Sequence, residues 1–180
     1  MIKAILRYAI RRFGARYQYD AEYMDYVTRH STVAGVRLAL LPLYTQFRGP
    51  AAARDVWGGA LLGSTLEGDC GPCVQLVVDM ALEAGVAGRD LAFCLQGQDG
   101  DAGAAGLGFR FARAAIADAP ELDALRGEIE ARFGAEAVIA CAFAASGGRV
   151  YPVLKRGLGY GGTCARVRIG EEMIGVVHRQ

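Results

Sequence analysis

The sequence predicts an all-α protein with a single domain. Apolar residues recur at helical spacing through most of the chain, and glycines or prolines separate one such stretch from the next. Only the tail, residues 163–180, shows the alternation that is typical of strands. The 180 residues, 53% of them hydrophobic, suit one domain that buries its own core.

Residues 1–45 are predicted to be an N-terminal helical extension. Residues 2–13 form a basic amphipathic helix whose apolar stripe comprises Ile2, Ile5, Leu6, Ile10 and Phe13. We expect this stripe to pack on the protein's own core or on a second copy of the chain. A membrane surface would suit it as well but is the less favoured partner.

The rest of the extension carries two further features. The tyrosine-rich segment 17–26 is as typical of an interface or a pocket wall as of the edge of a core. Residues 31–47 are predicted to be a helix that begins at a Ser31 or Thr32 cap and is disturbed near Pro42.

The remaining elements follow from the same periodicity. Helices are predicted over residues 51–67, 73–84, 88–96, 109–118, 121–133 and from 135 onward. Residues 98–108, which are dense in Gly, Ala and Asp, are predicted to be a loop. Pro152 should kink or divide the last helix, and the tail forms either a short hairpin or an extended arm.

The charge balance gives no reason to expect nucleic acid as a partner. Lysine and arginine number 20 against 19 acidic residues, so no overall field attracts a polyanion. Arg11, Arg12 and Arg16 interrupt the N-terminal apolar run, and no uncharged stretch is long enough to cross a bilayer. We therefore expect a soluble, cytoplasmic protein without a signal peptide.

Cys70 and Cys73 are the residues whose pattern points to chemistry. The sequence Asp69-Cys70-Gly71-Pro72-Cys73 directly precedes the most regular helix of the chain. Free backbone amides and the helix dipole stabilise a thiolate at a helix start. Two sulfurs at this spacing can close into a disulfide and reopen, which is the cycle of a dithiol oxidoreductase.

Other interpretations of the pair carry less weight. A zinc site would need further ligands, but the only histidines are His30 and His178 and no second cysteine pair has ligand spacing, so we predict no metal and no cofactor. Two inert buried thiols remain an alternative. Cys94 and Cys141 are predicted to be structural filling, and Cys164 to be exposed.

The segment 67–97 resembles the core repeat of the AhpD-like (carboxymuconolactone decarboxylase-related) superfamily, in which a Cys-x-x-Cys opens a helix that ends in Ala-Gly-Val. The resemblance implies a helical bundle, a homo-oligomer and a redox dithiol. Thioredoxins share the tetrapeptide, but they require a strand before the first cysteine, which this sequence does not predict.

The sequence departs from the pattern of the superfamily at two positions. Peroxidatic members of the superfamily carry a relay Glu twelve residues before the first Cys and a relay His four after the second, and here these positions are Gly58 and Val77. Glu67, close before Cys70, is the candidate substitute for the proton relay. Tyr151 and Lys155, four residues apart on a helix, are weaker candidates for the same role, since they would equally suit a solvated face.

The leading hypothesis is a thiol-disulfide oxidoreductase or peroxidase-like enzyme that acts on a small-molecule peroxide or disulfide, with an unidentified electron donor. Dipole reasoning favours Cys70 as the attacking thiol, whereas the resemblance favours Cys73. The alternative is a non-catalytic helical oligomer or binding module with a vestigial cysteine pair. A lactone decarboxylase ranks last, because no suitable His and Arg constellation supports it.

Overall fold

The computed structural model describes residues 1–161 and 166–177. The helices, numbered in chain order, are α1 (Ile2–Tyr17), α2 (Glu22–His30), α3 (Thr32–Leu40), α4 (Pro42–Thr45), α5 (Arg54–Leu66), α6 (Gly71–Glu83), α7 (Gly88–Leu95), α8 (Gly103–Ala117), α9 (Leu122–Phe133), α10 (Ala135–Gly147) and α11 (Val150–Gly157). A hairpin of β1 (Arg166–Ile169) and β2 (Glu172–Gly175) follows. The predicted all-α class is confirmed.

The centre of the core is the close pair of α5 and α8. All residues of α5 from Val56 to Leu66 are buried. A Cβ at Gly59 would overlap the Ala105 carbonyl, and one at Gly108 would overlap the Val56 carbonyl. Glycine at these positions therefore lets the two backbones touch, which is the physical reason for their tight packing.

This packing overturns the prediction of a loop over residues 98–108. The loop ends early, because α8 already begins at Gly103, after a short 3₁₀ turn at Asp99–Asp101. Glycine lowers helix propensity, and the sequence pattern was therefore interpreted as loop. Contact with α5 outweighs that cost: Leu107 and Phe109 are both buried in the core.

Helix α10 packs against α5, α8 and α9. Ala140, Cys141 and Ala144 are among its fully buried residues. By length and composition the 23 residues Ala135–Gly157 could also cross a membrane. Here they form two helices, and the break falls at Gly148 and Arg149, ahead of Pro152, which lies in the first turn of α11.

The N-terminal extension packs as a layer of its own. Helix α3 ends at Leu40 and α4 begins at Pro42, so the predicted disturbance near that proline is a division into two helices. Helix α1 contacts α2 and α3 and contains no buried residue. It is tied to α6 by Arg16 and Tyr17, which both hydrogen-bond to Glu83.

The tail forms the hairpin rather than the extended arm. Strands β1 and β2 are antiparallel, with Val167 opposite Ile174. These two side chains are buried, and Gln75 of α6 both donates to and accepts from the backbone of Arg168. The hairpin therefore closes the side of the core formed by α6 and α7.

Candidate functional site

Cys70 is the N-cap residue of α6, at the end of a tight connection from α5. Asp69 adopts a left-handed conformation (φ 45°), and Cys70 follows in an extended one. Pro72 occupies the first turn of α6, where its missing N–H has no helical partner to lose. The turn at Asp69 leads from α5 into α6 and places both cysteines at the start of α6, as the sequence predicted.

Cys70 and Cys73 are joined by a disulfide in the structure, with their Cα atoms 5.2 Å apart. Only 2% of Cys70 and 3% of Cys73 is exposed. The predicted disulfide reach of the pair is thus confirmed. The burial means that a reaction partner has to approach from a cavity or through a local opening.

Helix α11 holds the loop before the dithiol in place. The Arg156 guanidinium donates a hydrogen bond of 3.0 Å to the Gly68 carbonyl. The ring of Pro152 packs so closely on Gly68 that a Cβ there would meet it. Residues more than eighty positions away in sequence therefore set the approach of the chain to Cys70.

Tyr19 of the N-terminal extension contacts Cys73, and Lys155 of α11 lies over the rings of Tyr19 and Tyr23. The Tyr19 hydroxyl lies 3.8 Å from the Cys73 sulfur. The Lys155 ammonium lies 4.8 Å from the centre of the Tyr19 ring and 5.2 Å from that of Tyr23. Among the described residues, no carboxylate is within ion-pair distance of Lys155, and its ammonium lies over the two rings at cation–π distance.

Burial shifts the pKa values of Tyr19, Tyr23 and Lys155. It raises the pKa of Tyr19 to about 12, raises that of Tyr23 further, and lowers the pKa of Lys155. Lys155 is only 2% exposed, which contradicts its interpretation as part of a solvated face. Tyr19 stays a neutral hydroxyl at physiological pH and can donate a hydrogen bond to a thiolate.

Glu67, the sequence-based candidate for the proton relay, faces α8. Its carboxylate pairs with the Arg113 guanidinium at 2.7 Å and makes no hydrogen bond to either sulfur in the part of the chain that is described. The structure therefore brings Cys70 and Cys73 together and gives Glu67 an ion-pair role beside them.

The two positions of the missing relay lie in different surroundings. Val77 lies one turn after Cys73 on α6 and lines the same cavity. Gly58 lies in the core, where a Cβ would meet Val86 at 2.7 Å and Ala81 at 3.7 Å. A glutamate at Gly58 would thus need the helix packing to shift, whereas a histidine at Val77 would extend from the cavity wall.

A cavity of about 410 Å³ separates the N-terminal extension from the core. Cys73 forms part of its wall, together with apolar side chains from α1, α2, α3 and α6. These include Leu6, Ile10, Phe13, Met24, Leu38 and Met80. Tyr19 and Tyr23 also line it, so one of the roles predicted for the tyrosine-rich segment, a pocket wall, is confirmed.

The other cysteines behave as structural residues where they are described. Cys94 and Cys141 are buried free thiols, and burial raises the pKa of each to about 12. Their prediction as core filling is confirmed. The predicted exposure of Cys164 lies outside the described residues. Within those residues, no group of three or more His, Cys, Asp or Glu side chains could hold a metal ion.

Comparisons with protein-family models, with curated proteins and with solved structures give no match to this chain. The candidate site is therefore defined by its own geometry. Sequence reasoning found the dithiol and noted both Lys155 and the tyrosine-rich segment. It missed the contacts of Tyr19 with Cys73 and with Lys155, because no local pattern links positions that far apart.

Proposed function

We propose that this chain is a cytoplasmic thiol-disulfide oxidoreductase or peroxidase-like enzyme of the AhpD-like type, which uses Cys70 and Cys73 to reduce a peroxide or a disulfide. The observation that carries the proposal is the pair of sulfurs within bonding distance at the start of α6, one of them in the wall of a cavity. The likeness to that superfamily rests on the segment 67–97.

Cys73 is the thiol that attacks in this proposal, because it faces the cavity. Its thiolate attacks the outer oxygen of a hydroperoxide, the O–O bond breaks, and the alcohol leaves after taking up a proton. The thiol of Cys70 then attacks the sulfenic sulfur of Cys73 and releases water as the disulfide closes. The pair loses two electrons, and an external dithiol restores it by two thiol–disulfide exchanges.

Two groups are candidates for the proton transfers. Tyr19 has its hydroxyl beside Cys73 and stays protonated near neutral pH. Glu67, one residue beyond α5, is the candidate from the sequence, although its carboxylate is engaged by Arg113. Without the usual Glu and His at Gly58 and Val77, we expect slow peroxide turnover.

Thiol counting on the full-length protein tests the proposal. The reduced protein is mixed with one equivalent of tert-butyl hydroperoxide, and free thiols are counted against time. We expect the wild type to lose two thiols. Cys70→Ser should lose one and form a sulfenic acid on Cys73 that dimedone traps, whereas Cys73→Ser should lose none.

Two results would contradict this assignment. Retention of all thiols over a period in which a small free thiol is oxidised would remove the peroxidase hypothesis. Dimedone labelling of Cys70 in Cys73→Ser would make Cys70 the attacking residue. Glu67→Gln belongs in the same series, and a rate within about twofold of the wild type would leave Tyr19 as the better candidate for proton transfer.

The second candidate function is a binding module without catalysis, with a cysteine pair that only stabilises the start of α6. The cavity beside the pair supports it, since ligand pockets typically have volumes of about 300–1,000 Å³ and mostly apolar walls. Under this hypothesis ligand binding persists in Cys70→Ser and Cys73→Ser, and peroxide does not oxidise the wild type faster than a small free thiol.

A further inference from the structure

The cavity beneath the N-terminal extension has a mainly apolar wall that contains unsatisfied polar groups. The hydroxyls of Tyr23, Thr28 and Thr45 and the side-chain carbonyl of Gln46 are buried without a hydrogen-bond partner in the described part of the chain. Tyr23 lies near Tyr19, but the two hydroxyls do not have the geometry of a hydrogen bond. All four residues line the cavity. Of the five such buried atoms in the described residues, only the Trp57 indole nitrogen belongs to a residue outside its wall.

Thr28 is the clearest of these groups. It is 1% exposed and lies so close to Gly35 that a Cβ there would meet its hydroxyl at 2.7 Å. Thr45 is also 1% exposed, and it lies near Tyr151 without the geometry of a hydrogen bond. A buried hydroxyl without a partner destabilises the folded protein, so several of them around one cavity indicate a missing partner.

The composition of the wall determines the chemistry of that partner. Most of the surface is aliphatic or aromatic, from Leu6, Ile10 and Phe13 of α1 to Leu76 and Met80 of α6. The unsatisfied groups are neutral, and none of the described residues that line the cavity is Asp, Glu, Lys, Arg or His. A molecule with an apolar body and a neutral hydrogen-bonding group satisfies both features.

We propose that this cavity is a binding site for an uncharged amphipathic small molecule of the medium-chain alcohol type. Its apolar chain lies against α1 and α6, and its polar group exchanges hydrogen bonds with Thr28 and Thr45. The proposal does not require Cys70 and Cys73 to react, so it stands whether or not the dithiol is catalytic.

The proposal predicts opposite effects of one substitution on stability and on binding. Thr28→Val keeps the shape of the side chain and removes the unsatisfied hydroxyl. We expect it to raise the urea midpoint of the ligand-free protein, because a buried group without a partner disappears. The same variant should bind 1-decanol about fivefold more weakly, which is the effect of losing one neutral hydrogen bond.

Calorimetric titration of the oxidised, full-length protein with 1-decanol is the test. We expect saturable binding at one site per chain. Leu76→Trp, which fills the cavity from a half-buried position, should abolish binding while circular dichroism shows that the helices are retained. Val33→Trp, at an exposed position outside the cavity wall, is the matched control and should bind as the wild type does.

Three results would overturn the assignment. Absence of saturable binding would mean that the polar atoms hold only water. Equal binding of 1-decanol by Leu76→Trp and the wild type would show that the binding site lies outside this cavity. Tighter binding of decanoate than of decanol would show that the site selects a charged head group. Because binding is measured without turnover, failure here is separate from failure of the thiol-counting experiment.

Discussion

The Tyr19 hydroxyl lies 3.8 Å from the Cys73 sulfur, although the two residues are 54 positions apart in sequence. Tyr19 belongs to the connection between α1 and α2, and Cys73 to the first turn of α6. The contact therefore links the N-terminal extension to the dithiol. It also places a neutral hydrogen-bond donor at the atom that we propose attacks the substrate.

Tyr19→Phe is expected to slow the reaction of reduced Cys73. The hydroxyl can donate to the thiolate, and a hydrogen bond to a charged group contributes about 1.5 kcal/mol or more, which corresponds to about tenfold in rate. Alkylation by iodoacetamide at neutral pH, followed by peptide mass spectrometry, measures the reaction at Cys73 alone.

Tyr23→Phe is the control for this experiment, because the Tyr23 hydroxyl makes no hydrogen bond to Cys73 and its ring lies against the same lysine. It should react at the wild-type rate. Equal slowing in both variants would show that the rings, and not the Tyr19 hydroxyl, govern Cys73.

Val77→His is expected to raise the rate of peroxide reduction by about tenfold or more, because it adds an acid–base group to the cavity wall one turn from Cys73. Val77→Gln, which is polar but does not titrate, should leave the rate of peroxide reduction unchanged.

Adding Gly58→Glu should lower the free energy of unfolding by about 1–3 kcal/mol, since its Cβ meets Val86. A faster double variant with wild-type stability would show that the core accommodates the full relay.

Gly59→Ala is expected to destabilise the protein by about 3 kcal/mol or more, because the added methyl group overlaps the Ala105 carbonyl where α5 and α8 touch. Gly127→Ala, on α9 with open space at its Cβ position, should instead stabilise by about 0.5–1 kcal/mol through helix propensity. Urea unfolding followed by circular dichroism measures both. A cost below about 1 kcal/mol for Gly59→Ala would contradict the close contact.

Lys155→Met is expected to be more stable than the wild type near neutral pH and to lose this advantage as the pH rises. Burial lowers the pKa of Lys155 below its ordinary 10.5. At a pH between the lowered pKa of the folded protein and 10.5, the unfolded chain binds a proton at this amine that the folded protein does not. The unfolding free energy of the wild type therefore rises with pH over this range and levels off above 10.5. The difference in unfolding free energy between the two proteins, measured from pH 7 upward, isolates this contribution.

Tyr19, Tyr23 and the buried thiols also titrate at alkaline pH, and the difference between variant and wild type largely cancels their contribution. Asp20 is the charged group whose field acts on Lys155. A difference that does not vary with pH would mean that the amine is effectively solvated.

We expect the protein to be a homo-oligomer with α1 in the interface. Leu6, Ile10 and Phe13 of its apolar stripe face the cavity, whereas Ile2 and Ile5 are 60% and 64% exposed. Light scattering should therefore show dissociation of the double variant Ile2→Ser, Ile5→Ser. Met173→Ser, a change at an exposed apolar residue of the hairpin, is the control.

A monomeric wild type would remove the oligomer prediction. Removal of residues 1–16 provides the comparison with a membrane, which Arg7, Arg11 and Arg12 could face. Sedimentation of the intact chain with anionic liposomes, lost on truncation, would identify a membrane as the partner of α1.

The sequence by itself determined the helical class, most helix positions, the cysteine pair at a helix start and the inert core thiols. These features depend on local periodicity, capping and composition, which act within a few residues of each other. For example, the valines of α6 recur at helical spacing directly after Cys73, so both the helix and the placement of the dithiol follow from about fifteen residues.

Only the tertiary structure decided which groups surround the dithiol. The contact of Tyr19 with Cys73, the burial of Lys155, the pairing of Glu67 with Arg113 and the cavity all join segments that are distant in the chain. Contact between distant segments also explains why α8 already begins at Gly103. Its glycines would weaken an isolated helix, but here they permit close contact with α5. Such contacts depend on how helices pack against each other, and local sequence patterns do not encode that packing.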